Sequence, residues 1–199
     1  MAESVTAEPP FDLLRPRRTI VGMAAVLLPH AAGEVDWVGF ERLLGETVAA
    51  GLTPAVNMDT GYVHLLDEAT RLEVLDRTAA IVGEGAFVAG AFVADAPGAP
   101  WSPDGHLRAA SEITERGGTP VVFPCFALAG LDGEGWVAAH ADLARHLDHF
   151  LAFELSTAFA PFGVIHDLAA YRGLLEITAC IGAKHSSLHR EPEWDRLRL

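Results

Sequence analysis

The sequence predicts an α/β protein built on a parallel sheet, and three observations carry that prediction. Short apolar runs recur at 20–28, 53–57, 86–93, 119–126, 149–155 and 179–184. Their starts lie roughly thirty residues apart, the length of one strand–helix unit. Between them stand amphipathic helical patterns with recognisable start and stop residues. Such alternation buries a parallel sheet beneath a layer of helices.

The elements follow in order. Residues 1–18 read as a polar leader and the folded domain as 19–199. Arg15-Pro16-Arg17-Arg18 ahead of Ile20–Leu28 has the form of a twin-arginine export signal. The apolar run nevertheless falls in phase with the later repeats and reads as a first strand. With nine apolar residues where ~20 are needed, it is too short to span a membrane. Asp36 caps a first helix with Trp37, Phe40, Leu43, Leu44 and Val48 inward, ending near Gly51. Asp67 caps a second, with Leu72, Leu75, Ala79 and Val82 inward. Ser102-Pro103 opens a third, with Leu107, Ala110 and Ile113 inward and Gly117-Gly118 as its stop. Trp136, His140, Leu143 and Leu147 mark a fourth. Asp167 caps a fifth, with Leu168, Tyr171, Leu174 and Leu175. Trp194 and Leu197 lie in a sixth, within which the chain ends at Leu199.

Composition narrows the function. Half of the 199 residues are hydrophobic, enough to bury a large core. The net charge of −13 denies the chain the basic face that nucleic-acid binding needs. Cys125 and Cys180 form neither a metal knuckle nor a disulfide framework, which fits a reducing cytoplasm. Thirteen of the 14 basic residues are arginine, and Lys184 is the single lysine. Arginine does not lose its proton, whereas a desolvated lysine can act as an amine nucleophile.

Two closures suit the alternation, an open doubly wound sheet and a (β/α)8 barrel. No G-x-G-x-x-G follows the first strand, so a dinucleotide-binding sheet lacks its main support. In both closures the chemistry gathers at the carboxyl ends of the strands. The residues there are Asn57-Met58-Asp59-Thr60-Gly61-Tyr62, Phe123-Pro124-Cys125-Phe126, Phe153-Glu154 and Cys180-Ile181-Gly182-Ala183-Lys184-His185-Ser186-Ser187.

In these segments the sequence resembles the dihydrodipicolinate synthase/N-acetylneuraminate lyase family, class I aldolase-type (β/α)8 TIM barrels, and most nearly a less-characterised branch of it. The resemblance runs from about Thr19 to Ser187. It rests on Ile20-Val21-Gly22-Met23 and Gly33-Glu34-Val35-Asp36, and on Asp59-Thr60-Gly61-Tyr62 in place of Gly-Thr-Thr-Gly-Glu. It rests also on Ile181-Gly182-Ala183-Lys184 in place of Gly-(Ile/Phe)-Lys. It implies a lyase or synthase that needs no cofactor or metal and forms a Schiff base between Lys184 and a 2-oxo acid such as pyruvate, with an aldehyde as a further partner. The iminium serves as electron sink while a carbon–carbon bond is made or broken. Ile181, Gly182 and Ala183 are small or apolar and would help desolvate the amine. Thr60 and Gly61 match the carboxylate-binding positions, and Ser186 shares the strand face of Lys184.

The family's proton-shuttling tyrosine aligns with Phe153, its relay threonine with Asp59 and its neighbour-lent tyrosine with Phe126. Asp59 and Glu154 are the candidate replacements for acid–base work, and Tyr62 supplies a phenol. By strand alternation His185 points toward the helices. His140, His146 and His149 lack H-E-x-x-H spacing and read as solvated or helix-end histidines.

Six strand–helix units are visible, whereas a full barrel needs eight and about 250 residues. The expected domain is therefore an incomplete barrel with open edges at its first and sixth strands, from a truncated product whose full-length form is a homo-oligomer. Two other functions stay open. One is a non-catalytic remnant that binds a ligand or partner without turnover. The other is a metal-dependent barrel isomerase, which requires Asp59, Glu154 and a histidine to converge.

Overall fold

The computed structural model describes residues 21–199. The residues 1–20, with the leader, the arginine cluster and the start of the first apolar run, lie outside that range. Six parallel strands stand in chain order in one sheet: β1 (Met23–Ala25), β2 (Thr53–Val56), β3 (Val88–Ala91), β4 (Thr119–Val122), β5 (Phe150–Leu155) and β6 (Cys180–Ser186). A short hairpin, His30–Ala31 paired antiparallel with Glu34–Val35, follows β1. The helices are α1 (Trp37–Ala49), α2 (Glu68–Val82), α3 (Asp104–Thr114), a short α4 (Phe126–Ala129), α5 (Gly133–Leu143), α6 (Leu168–Leu175) and α7 (Arg190–Leu197). This is an incomplete (β/α)8 barrel.

Several helix starts are local chemistry. The carboxylates of Asp36, Asp67, Asp132 and Asp167 accept the Gly39, Thr70, Gly135 and Ala170 amides, satisfying donors that have no intrahelical acceptor. Helix α4 takes its cap from a distance. Asp95 reaches the Phe126 and Ala127 amides at 2.9 and 2.7 Å, which ends the predicted strand 119–126 early. Leu168 and Leu175, expected inward, are partly exposed because α6 is short and packs only through Ala170, Tyr171 and Leu174.

Alternation along the strands sorts the core. Outward residues Val26, Val56, Ala89 and Ala91 pack on Phe40 and Leu44 of α1, Val74 and Leu75 of α2, and Ile113 of α3. Val122, Phe150 and Ala152 pack on Trp136, Leu143, Tyr171 and Leu174 of α5 and α6. His140 lies within this layer at 1% exposure, not at a solvated helix end, because its Nδ1 bonds the Trp136 carbonyl at 2.8 Å. Inward residues Ala55, Val88, Val121, Phe123, Phe153 and Leu155 form the third cluster.

A complete barrel fills its own interior with strand side chains. Here the loop after β5 supplies part of the opposing wall. β4 ends opposite Ala152, and Val164 bridges antiparallel to Leu155 beyond that point. Phe162 of this loop lies edge-on to Phe126, with ring centroids 5.7 Å apart, and beside Phe92 and Phe123. Gly163 permits the approach, since a Cβ there would stand 2.4 Å from the Leu155 carbonyl oxygen. The wall does not reach β1, where the inward Met23 and Leu27 are each 49% exposed.

Among the described residues β1 pairs only with β2, and β6 only with β5. Amide exchange should therefore be faster in β1 and β6 than in β3 and β4, which have neighbours on both sides. Hydrogen exchange read by mass spectrometry checks this, and equal protection in all four strands would show that the edges are covered.

Candidate active site

Lys184 stands opposite Phe153 in the β5–β6 register and shares its inward face. Its Nζ lies 4.0 Å from the Phe153 ring centroid, a cation–π contact. The same ammonium forms an ion pair with Asp59 from the turn after β2. That pair crosses the chord of the arc, joining residues 125 positions apart, and it is the curvature of the sheet that brings them together. The Lys184 side chain is 37% exposed, more than its small neighbours imply, because the inner face is open toward the β6 edge.

Asp59, Thr60 and Gly61 form one 3-10 turn. The Gly61 amide donates to the Met58 carbonyl at 3.0 Å, so the Thr60 hydroxyl, on an exposed residue, is the donor this turn offers to a ligand. Tyr62 follows in the left-handed region (φ 54°), a conformation non-glycine residues seldom adopt. Its ring is exposed, 6.2 Å from that of His64; the Tyr62 amide donates to the Asp59 carbonyl at 2.9 Å, but among the described residues its phenol makes no hydrogen bond to Lys184 or Asp59. Ser186 faces inward opposite Leu155, and its carbonyl accepts the Ser156 amide at 2.9 Å.

Glu154 is not brought to this group. It points outward with His185, into the layer between the sheet and α6–α7. There its carboxylate receives Arg196 Nε at 2.5 Å and Nη2 at 3.0 Å, the His166 amide at 3.0 Å and His185 Nδ1 at 2.9 Å. Burial pushes its pKa up, but the hydrogen bonds from His185 and Arg196 outweigh burial and hold the carboxyl below its ordinary value. One step of strand alternation separates it from Phe153, so the expectation that Glu154 joins Asp59 in acid–base work does not fit the geometry. For the same reason Asp59, Glu154 and a histidine do not converge. Among the described residues no cluster of three or more histidine, cysteine or acidic side chains suits a metal.

Sequence reading passed over Arg196 and Asp95. Arg196 is the buried residue of α7, and its one signal is its turn of offset from Pro192, whose carbonyl it also reaches. The thiols of Cys125 and Cys180 are buried, and burial raises both, Cys125 to about 12, so neither is a ready nucleophile. No helix among the described residues is long and apolar enough to cross a membrane.

Six parallel strands in chain order, helices outside and polar residues gathered at the carboxyl rim define an open-sided (β/α)8 barrel. Solved structures of that class are similar to it. Dihydrodipicolinate synthase from Thermotoga maritima superposes with a TM-score of 0.70 at 19% identity, covering 90% of this chain and 58% of that one. The chloride-inhibited dihydrodipicolinate synthase from Acinetobacter baumannii, complexed with pyruvate, gives 0.66 at 17%, covering 85% and 56%. KD(P)GA from T. tenax gives 0.63 at 15%, covering 90% and 59%. The chain thus spans less than two thirds of these structures, and at these identities the likeness establishes the fold. No family model matches the sequence, and no curated protein matches it.

Proposed function

We propose that this chain is a divergent partial barrel of the dihydrodipicolinate synthase/N-acetylneuraminate lyase family that condenses Lys184 with a 2-oxo acid such as pyruvate. The observation that carries the reading is the placement of the only lysine on the inner face at the carboxyl rim, against Phe153 and paired with Asp59. The Asp59 carboxylate is the base within reach of the Lys184 ammonium. Once it takes that proton, the neutral amine adds to the ketone carbon, and loss of water leaves an iminium. The Phe153 ring faces the nitrogen that then carries the positive charge. Asp59 is also placed to exchange the proton on the neighbouring carbon, work that Phe153 cannot do. The Thr60 hydroxyl binds the substrate carboxylate from the same turn, with Ser186 on the opposite wall and Tyr62 at the rim toward an aldehyde partner. The domain begins near residue 19 and works in the cytoplasm without a cofactor, and a full-length form assembles as a homo-oligomer.

Borohydride reduction in the presence of pyruvate tests this. The expected product is one three-carbon adduct that peptide mapping places on Lys184, absent from Lys184→Arg. Asp59→Asn should slow trapping by about 100-fold, the usual scale for losing a general base. A second reading, a remnant that binds without turnover, is favoured by the open edges and the Phe162 wall. It takes over if folded protein gives no adduct with pyruvate or any other 2-oxo acid.

A further inference from the structure

The outward face of β6 carries a constellation that imine chemistry does not use. His185 stands between Glu154 and Ser187. Its Nδ1 is 2.9 Å from Glu154 Oε2, and its Nε2 is 3.0 Å from Ser187 Oγ. Burial falls along the row: the Glu154 side chain is 1% exposed, that of His185 7%, and Ser187 is part-exposed just past the strand end. Arg196 and the His166 amide fix the carboxylate from the other side. An ionised carboxylate only accepts, so in the neutral tautomer that donates Nδ1–H to Glu154 the Nε2 lone pair faces the serine hydroxyl. We propose that Ser187, His185 and Glu154 form a nucleophile–base–acid triad that hydrolyses small carboxylic esters, a second activity separate from that of Lys184.

The surroundings suit that chemistry. The Ser187 oxygen is held in place by the His189 amide at 3.2 Å, while its proton has a second acceptor in the His189 carbonyl at 2.9 Å. Helix α7 starts three residues on, at Arg190, and the Arg190 and Glu191 amides of its first turn lack intrahelical acceptors, so they are the candidate donors for a developing oxyanion, whereas Pro192 has no amide proton to give. The Ser187 Oγ bonds to the ester carbonyl carbon as its proton passes to His185 Nε2. The bond to the alcohol oxygen then breaks, and the alcohol leaves with that proton. Water repeats the sequence on the acyl-serine, releasing the acid and restoring the hydroxyl, so ester and water give acid and alcohol. The neighbouring Leu188 is 70% exposed and puts an apolar surface beside the serine, which suits small acyl groups.

The test is a fluorophosphonate probe on the full chain, read by intact mass and peptide mapping. One phosphonyl group should appear on Ser187. Ser187→Ala should abolish it, and His185→Gln should slow it about 100-fold. An exposed serine elsewhere, Ser111→Ala, should change nothing. Far-ultraviolet circular dichroism establishes that each variant is folded. No adduct on Ser187 of the folded protein would overturn the triad and show the hydroxyl locked in its turn with His189. Labelling undiminished by His185→Gln would overturn it as well, by showing a merely exposed serine. Trapping of Lys184 reads a different group, so either activity stands or falls alone.

Discussion

Arg196→Met is expected to cost about 3–5 kcal/mol of stability, the scale for leaving one charge of a buried ion pair without its partner. Arg196 is the strap by which α7 holds the sheet. It bonds the Glu154 carboxylate twice, the His166 carbonyl at 2.6 Å and the Pro192 carbonyl at 3.2 Å, and its guanidinium carbon lies 4.8 Å from the Tyr171 ring centroid. Without it, burial acts on Glu154 with only His185 and one backbone amide in opposition. Urea denaturation should show a lower midpoint. The double variant Glu154→Leu/Arg196→Met should recover most of the loss, because apolar side chains of similar volume replace a buried pair without the desolvation penalty. A single-variant cost below about 1 kcal/mol, the range of surface pairs, would show that α7 is held by other contacts.

The second large effect is on the acid side. Burial pushes His140 down to about 4, against the Trp136 carbonyl bond that raises it, with His106 and His166 lowering it further. Burial lowers His106 likewise, despite its Nε2 bond to the Phe123 carbonyl at 2.9 Å. Among the described residues the buried His140 Nε2 and His106 Nδ1 have no hydrogen-bond partner. Both rings are therefore neutral in the fold and take up a proton in the unfolded chain near 6.5. Their contribution is fully present above that pH and is lost as pH falls, in the case of His140 toward about 4. At ~1.4 kcal/mol per pKa unit, His140 alone accounts for about 3 kcal/mol. Glu154, held below its ordinary value, adds loss in the same direction at still lower pH. Urea midpoints at pH 7, 5.5 and 4.5 should fall steadily, and His140→Leu should flatten the fall. A wild-type midpoint that does not change from pH 7 to 4.5 would contradict this account.

The elements were legible because their signals are local. Asp36, Asp67 and Asp167 cap where capping chemistry places them, and the six apolar runs became six strands in chain order. Boundaries were less legible where a distant residue intervenes. Asp95 turns the end of the run 119–126 into the start of α4, and nothing within that run announces it. His140 read as a surface residue because its helical position is compatible with either side. Only the packing of Trp136 and Phe150 around it decides the matter.

For the candidate site, sequence alone determined which residues lie at strand ends, that one lysine is among them, and that Lys184 and His185 face opposite ways. Strand period and unit length are properties of the local backbone. Tertiary structure decided which strand ends meet. Curvature of the sheet carries Asp59 across the arc to Lys184, while alternation along β5 sends Glu154 out to Arg196, His185 and Ser187. Contacts between residues 42 or 125 positions apart depend on how far the sheet bends and where α7 docks. Those are set by packing summed over the whole barrel, and no short stretch of sequence carries that sum.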